Sequence, residues 1–259
     1  MDWSRYEQLG ALERSGNFKD ALDGYRQLKT DCTDRRDKVV LLLAIVNCLL
    51  LLGRTSEAKQ SIREAFTLVE NDMKFYPRVA FKDATIDIEL KDWKAALGKM
   101  ERLLKDYPDA LSDPDNSDVV EHLNRSRGFA LTELNRFREA KPLLEEVSSK
   151  EFHQGPVLCY LGACNYELGD LEASEKNYSD ALAVGLDPSY ECSAHYGLGT
   201  IYLRQGKLAW ANQQFEKCLE QQKWGRVPKR DVVVSLLRTA KGLGSEDQIE
   251  LYTKMLDEI

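Results

Sequence analysis

The 259-residue sequence predicts an all-α fold, a solenoid of about seven antiparallel helix pairs. Three observations predict it. A short turn segment recurs seven times at near-constant intervals, a small residue follows each copy at a fixed distance, and little between the copies interrupts a helix. The chain has only 7 prolines and 16 glycines, and a fixed period of 20–50 residues is the signature of stacked repeats.

The turn segments come first. Five contain glycine: Ser15-Gly16-Asn17-Phe18, Leu52-Gly53-Arg54-Thr55, Leu168-Gly169-Asp170-Leu171, Gln205-Gly206-Lys207-Leu208 and Leu243-Gly244-Ser245-Glu246. Two lack it, Leu90-Lys91-Asp92-Trp93 and Leu134-Asn135-Arg136-Phe137. Counted at positions 16, 53, 91, 135, 169, 206 and 244, the intervals are 37, 38, 44, 34, 37 and 38 residues. Each reads as a helix stop followed by a restart, because glycine accepts the left-handed backbone of a helix C-terminus and asparagine tolerates it next best. Asn17, Thr55, Asp92, Asp170 and Ser245 then stand as N-caps. Helix pairs are expected at 3–15 and 18–30, 36–52 and 55–71, 77–90 and 92–106, 117–134 and 137–149. Three further pairs follow at 155–168 and 171–184, 189–205 and 208–223, and 228–242 and 245–258. The polar last helix suits the end of a stack, where one face meets water. The Asp109–Asp118 stretch, inside the 44-residue interval, is expected to be a solvated, flexing seam.

Five residues past each turn point stand Ala21, Ala58, Ala96, Ala140, Ser174, Ala211 and Ile249. Ala and Ser make up about one residue in seven of the chain, yet they fill six of these seven positions. Two helices approach closely only where side chains are small. Seven residues before each turn point come Leu9, Val46, Ala84, Gly128, Gly162, Gly199 and Leu237, four of them small as the facing helix requires.

The copy Tyr196-Gly197-Leu198-Gly199-Thr200-Ile201-Tyr202-Leu203-Arg204-Gln205-Gly206-Lys207-Leu208, continuing to Ala211, Phe215 and Cys218, resembles the tetratricopeptide repeat. Leu161-Gly162 through Ala181 fits nearly as well, as do Trp93, Ala96, Met100, Leu103 and the Tyr107-Pro108 stop. The resemblance implies a right-handed superhelical solenoid forming a single domain over 1–259, with repeats near 3–30, 36–71, 77–106, 117–149, 155–184, 189–223 and 228–258. It also implies that the first helix of each pair lines a concave groove that holds another polypeptide. The matching positions include Leu43 and Asn47 in repeat two, Arg78, Phe81 and Lys82 in repeat three, and Arg125 and Phe129 in repeat four. Cys159, Tyr160, Ala163 and Tyr166 follow in repeat five, and Ser193, Tyr196, Thr200 and Arg204 in repeat six. Aromatics and arginine anchor protein partners because they bury large area at small entropic cost. The expected partner is therefore a protein or peptide segment, apolar or aromatic, with acidic groups for Arg78, Lys82 and Arg125. The competing reading has these rings packed on neighbouring helices. The chaperone-tail carboxylate clamp of the family is not matched: Asn47 aligns, but Leu43, Lys82, His122 and Ser126 stand at its other positions.

The role expected is an adaptor, co-chaperone or assembly factor, the alternative being a peptide sensor whose solenoid changes shape on binding. A net charge of −7 and the absence of a basic stripe argue against nucleic acid and against the further alternative, an RNA-binding helical repeat. The basic stretch Lys223–Arg230 reads as an inter-repeat loop. No phosphate loop, zinc-protease helix or nucleophile elbow occurs, so neither catalysis nor a cofactor is expected. His122, His153 and His195 lack metal-ligand spacing, and Cys159 and Cys164 make no zinc pair. The six cysteines are expected as buried free thiols of a cytoplasmic protein. The sequence start shows no signal-peptide core. The apolar run Val39–Leu52 is fourteen residues, short of the ~20 that cross a bilayer. Nothing in the repeat pattern sets an oligomeric state.

Overall fold

The computed structural model describes residues 1–70, 72–148, 154–221 and 226–259. They contain α-helices and one 3-10 turn, with no strand among the described residues. The chain forms two compact units, Met1–Ala130 and Leu131–Ile259.

The first unit holds α1 (Trp3–Arg14), α2 (Phe18–Asp31), α3 (Arg35–Leu51), α4 (Thr55–Val69), α5 (Tyr76–Glu89) and α6 (Trp93–Asp106). The short α7 (Pro108–Leu111) and the 3-10 turn Pro114–Asn116 follow, then most of α8 (Ser117–Glu133). The second unit takes up the end of α8 and continues with α9 (Phe137–Ser148), α10 (Gln154–Glu167), α11 (Leu171–Val184) and α12 (Pro188–Arg204). It closes with α13 (Leu208–Glu220), α14 (Lys229–Leu243) and α15 (Glu246–Asp257). The expected helix ends agree with these to within about three residues.

All seven turn points adopt a positive φ, from 57° at Lys91 and 59° at Asn135 to 89° at Gly169. Each makes the same two bonds. At the first turn Gly16 N–H donates to Glu13 O and Asn17 N–H to Leu12 O; at the third Lys91 donates to Ile88 and Asp92 to Asp87. Asn135 and Arg136 repeat the pair with Thr132 and Leu131. This is the two-bond closure that satisfies the last carbonyls of a helix. The helix restarts differ from expectation in detail. Asp92 and Asp170 accept from Ala95 N–H and Ala173 N–H, each at 3.0 Å. Asn17 and Ser245 sit at the cap position without a side-chain bond to the helix N–H groups, and Thr55 is already inside α4, with Arg54 at the cap.

The small positions Ala21, Ala58, Ala96, Ala140, Ser174 and Ala211 are fully buried. Opposite them, glycine makes notches for rings. A Cβ on Gly199 would meet the Phe215 ring at 2.6 Å, and one on Gly162 would meet the Tyr178 ring at 2.9 Å. Such close fit is how helix faces interdigitate at interior packing density. In the first unit the core runs through Leu22, Tyr25, Leu41, Leu49, Ile62 and Ile86.

Two expectations are corrected. The Asp109–Asp118 stretch is not a bare solvated seam: it forms α7 and the 3-10 turn, and buried Asn116 donates to Lys74 O at 3.1 Å and Ala110 O at 2.9 Å. An amide that replaces water with two backbone acceptors ties down the stretch of chain around it. The cysteines are not six free thiols either. Cys192 on α12 and Cys218 on α13 form a disulfide, while Cys32, Cys48, Cys159 and Cys164 are free and buried. Both joined residues sit where these antiparallel helices come close, Cα to Cα 4.2 Å. No helix of the described residues is long and apolar enough to cross a membrane.

Candidate peptide-binding surfaces

In the first unit, Leu43, Asn47 and Arg78 line one cavity of about 450 Å³ together with Tyr6, Glu13 and Phe75. Of the cations expected to await an acidic partner, Arg78 already holds an internal carboxylate, while Lys82 and Arg125 contact Asn47 and His122. Arg78 grips Asp118 through two N–H groups at 2.7 and 2.8 Å and donates to Asp115 O, while Lys74 pairs with Asp115. Lys82 donates to Asn47 Oδ1 at 2.6 Å, and its burial lowers its pKa because the ammonium loses hydration. Arg125 reaches His122 Nδ1 at 3.0 Å, and that imidazole stacks on the Phe81 ring at 6.5 Å. Phe129 is half-buried on α8. The insertion after α6 is what brings Asp115 and Asp118 to Arg78 on α5.

In the second unit the expected residues converge. Tyr160, Tyr166 and Tyr196 line one cavity of about 480 Å³ between α10 and α12. Cys159, Ala163, Ser193 and Thr200, also marked as groove positions, line it too. Tyr178 lies at its base. Its ring is seated between α10 and α12 because both helices carry glycine there: a Cβ on Gly197 would stand 2.4 Å from it. Tyr190 and Phe137 complete the aromatic lining.

Tyr160 departs from the expected solvent-facing anchor. It is only 7% exposed, and its hydroxyl donates to Glu133 Oε1 at 2.8 Å while accepting from Arg226 Nη1 at 3.1 Å. Burial pushes that hydroxyl's pKa up, so it stays a donor. Tyr196 is half-buried and packs on Phe215 at 5.5 Å. Part of the packing reading is therefore right: these rings are both lining and core. Cys159 is chemically quiet, since burial raises its thiol to about 12.

Sequence reasoning missed Arg226. It precedes α14, and its guanidinium lies over the rings of Tyr190 at 4.7 Å and Tyr160 at 5.8 Å. Arg204, which the repeat pattern did mark, lies over Tyr166 at 5.6 Å. Arg226 belongs to the basic inter-repeat stretch, where no period assigns a direction to a side chain. His195 is buried on Gln214 at 2.7 Å, a packing role. Among the described residues no His, Cys, Asp and Glu cluster suits a metal. His153 and Lys223–Gly225 lie outside the described residues.

A tetratricopeptide-repeat family model matches residues 84–110, spanning the turn at Lys91. No curated protein matches the sequence. Among solved structures, the type IV pilus biogenesis factor PilW is similar at TM-score 0.65 and 20% identity, with 85% of this chain and 92% of that chain covered. PilF of Pseudomonas aeruginosa is similar at TM-score 0.66 and 17% identity, covering 86% and 92%. A tetratricopeptide repeat protein from Parabacteroides merdae gives 0.60 at 15% identity, covering 98% and 93%. At these identities the likeness is one of fold. This chain carries a tetratricopeptide repeat at residues 84–110 and has the fold of tetratricopeptide-repeat proteins.

Proposed function

We propose that the chain is a non-catalytic peptide-binding module, acting as an adaptor or assembly factor, and that its binding site is the aromatic cleft of the second unit. The observation that supports this most is convergence. Seven residues marked by repeat position alone, from Cys159 to Thr200, line a single cavity of about 480 Å³. Its size suits one or two large side chains, and concave, mostly apolar pockets with a few placed polar groups are where proteins hold ligands. Tyrosines offer such a ligand broad contact area with few rotors to freeze.

The test fills the cavity instead of truncating its walls, because Tyr160 also supports the core. Peptides enriched on the wild-type protein from a displayed random library are measured against the double variant Ala163→Leu, Thr200→Leu. The expected result is enrichment of peptides rich in apolar side chains, at least tenfold weaker binding by the variant, and an unchanged helical melt. An absence of enrichment, or equal binding by the filled variant, would overturn the reading.

A further inference from the structure

Arg226 lines the cleft and Arg204 lies on the Tyr166 ring of its wall, and these two arginines define what it selects. Arg226 donates to the Tyr160 hydroxyl at 3.1 Å, and its guanidinium lies over the rings of Tyr190 and Tyr160. Arg204 lies on Tyr166 in the same manner and is exposed. Among the described residues, neither guanidinium has a carboxylate at ion-pair distance. Glu133 accepts from the Tyr160 hydroxyl.

A guanidinium stacked on a ring uses its flat face and keeps its N–H edges. Those edges form the fork that matches a carboxylate two bonds at a time. Stacking also removes much of the side-chain freedom that a loose surface arginine must lose on pairing. The contrast with Arg78 is direct: there the same fork is already closed on Asp118 at 2.7 and 2.8 Å. A cationic ligand would have to displace Arg226 from Tyr190, whereas an anionic one docks onto the arrangement as it stands.

We infer that the second-unit cleft recognises an acidic–apolar peptide motif, in which a large apolar side chain enters the tyrosine-lined cavity and flanking Asp or Glu carboxylates are held by Arg226 and Arg204. This rests on the cleft being the peptide site. It assigns a role to Arg226, which no repeat position marks.

The probes are three capped hexapeptides with a common leucine–phenylalanine centre, flanked by two aspartates, two asparagines or two lysines on each side. Binding is followed by fluorescence anisotropy at two salt concentrations. The acidic peptide is expected to bind at least tenfold tighter than the asparagine peptide at low salt, with the gap shrinking as salt is added. The variant Arg226→Gln, Arg204→Gln should erase that gap, the acidic peptide then binding no more tightly than the asparagine peptide. Both arginines are exposed, so circular dichroism should show wild-type folding. Equal binding of the acidic and asparagine peptides, with both lost on filling the cavity, would overturn the arginine assignment and leave the cleft standing. Preference for the lysine peptide would overturn it in another way, by showing that the ring cluster itself takes a cation and Arg226 is its internal occupant. Failure of the acidic peptide to bind wild type also overturns it, while the displayed-library result separately decides the cleft.

Discussion

The two units each carry a cavity at the groove positions of the repeat, of about 450 and 480 Å³, and nearly everything else about them differs. In the first, polar and apolar walls are about evenly mixed, and the arginine is neutralised from within by Asp118 while also donating to the Asp115 carbonyl. In the second, aromatic walls prevail, and arginines rest on rings with no described acid at ion-pair distance. Size therefore does not tell the two apart. What does is whether the cations have been satisfied by the chain's own carboxylates. A closed ion pair must be opened before it can serve a ligand, although at an exposed position it adds only about 0–1 kcal/mol to stability.

The comparison sharpens through packing, where the largest effect is expected. Gly197→Leu drives a side chain into the Tyr178 ring, which stands only 2.4 Å from where a Cβ on that glycine would be. Overpacking on that scale costs about 3 kcal/mol, and it should loosen the second-unit cleft in particular. The matched change in the first unit is Gly98→Ala, where nothing lies within 4 Å of an added Cβ. Relief of helix-interior glycine should stabilise by about 0.5–1 kcal/mol. Urea melts of the two variants with opposite signs support the notch; the same sign for both would refute it.

Next in size is the crosslink. Removing Cys192–Cys218, which spans 26 residues, by Cys192→Ala with Cys218→Ala should cost about 3 kcal/mol in the chain-entropy picture. Hydrogen exchange should quicken in α12 and α13 and stay unchanged in α3 and α5. Alkylation in denaturant without reductant should tag four thiols, rising to six after reduction. Six tags at once would mean that the pair is absent and the expectation of free thiols right.

The smallest effect concerns the turns. A left-handed backbone costs a residue with a Cβ about 1–2 kcal/mol, so Lys91→Gly should stabilise by about 0.5–1 kcal/mol once the extra entropy of unfolded glycine is subtracted. Asn135→Gly should gain less, since asparagine tolerates this conformation. A loss of stability on Lys91→Gly would imply that contacts of the lysine side chain outweigh the backbone strain.

Much of this was readable in the sequence because a stacked repeat imposes one geometric demand at one spacing. Lys91 and Asn135 occupy the turn conformation although neither is glycine, since the interval and the capping bonds set the backbone there. Ala21 through Ala211 are buried because helices must touch at that level. The second-unit cleft was legible for the same reason: Tyr160, Ala163, Tyr166, Ser193, Tyr196 and Thr200 all stand on first helices. Arg226 was not, because it precedes a helix in a stretch free of the period. Nor were the partners of Arg78 and Lys82. Their pairing depends on an insertion's fold and on a side-chain amide 35 residues away, and spacing within a repeat contains neither.

The longest interval shows where this architecture tolerates growth. The added chain of the 44-residue interval is housed wholly after a pair is complete, in α7 and the 3-10 turn, and the turns at Lys91 and Asn135 keep their two bonds unchanged. Joints between pairs can thus absorb new sequence, and the new sequence can rewrite surface chemistry, as Asp115 and Asp118 do for Lys74 and Arg78. Turns inside a pair have no such slack, for one more residue would rotate the following helix and take its small side chain out of the contact. A spliced label, a protease site or an evolved binding loop belongs at the first kind of junction.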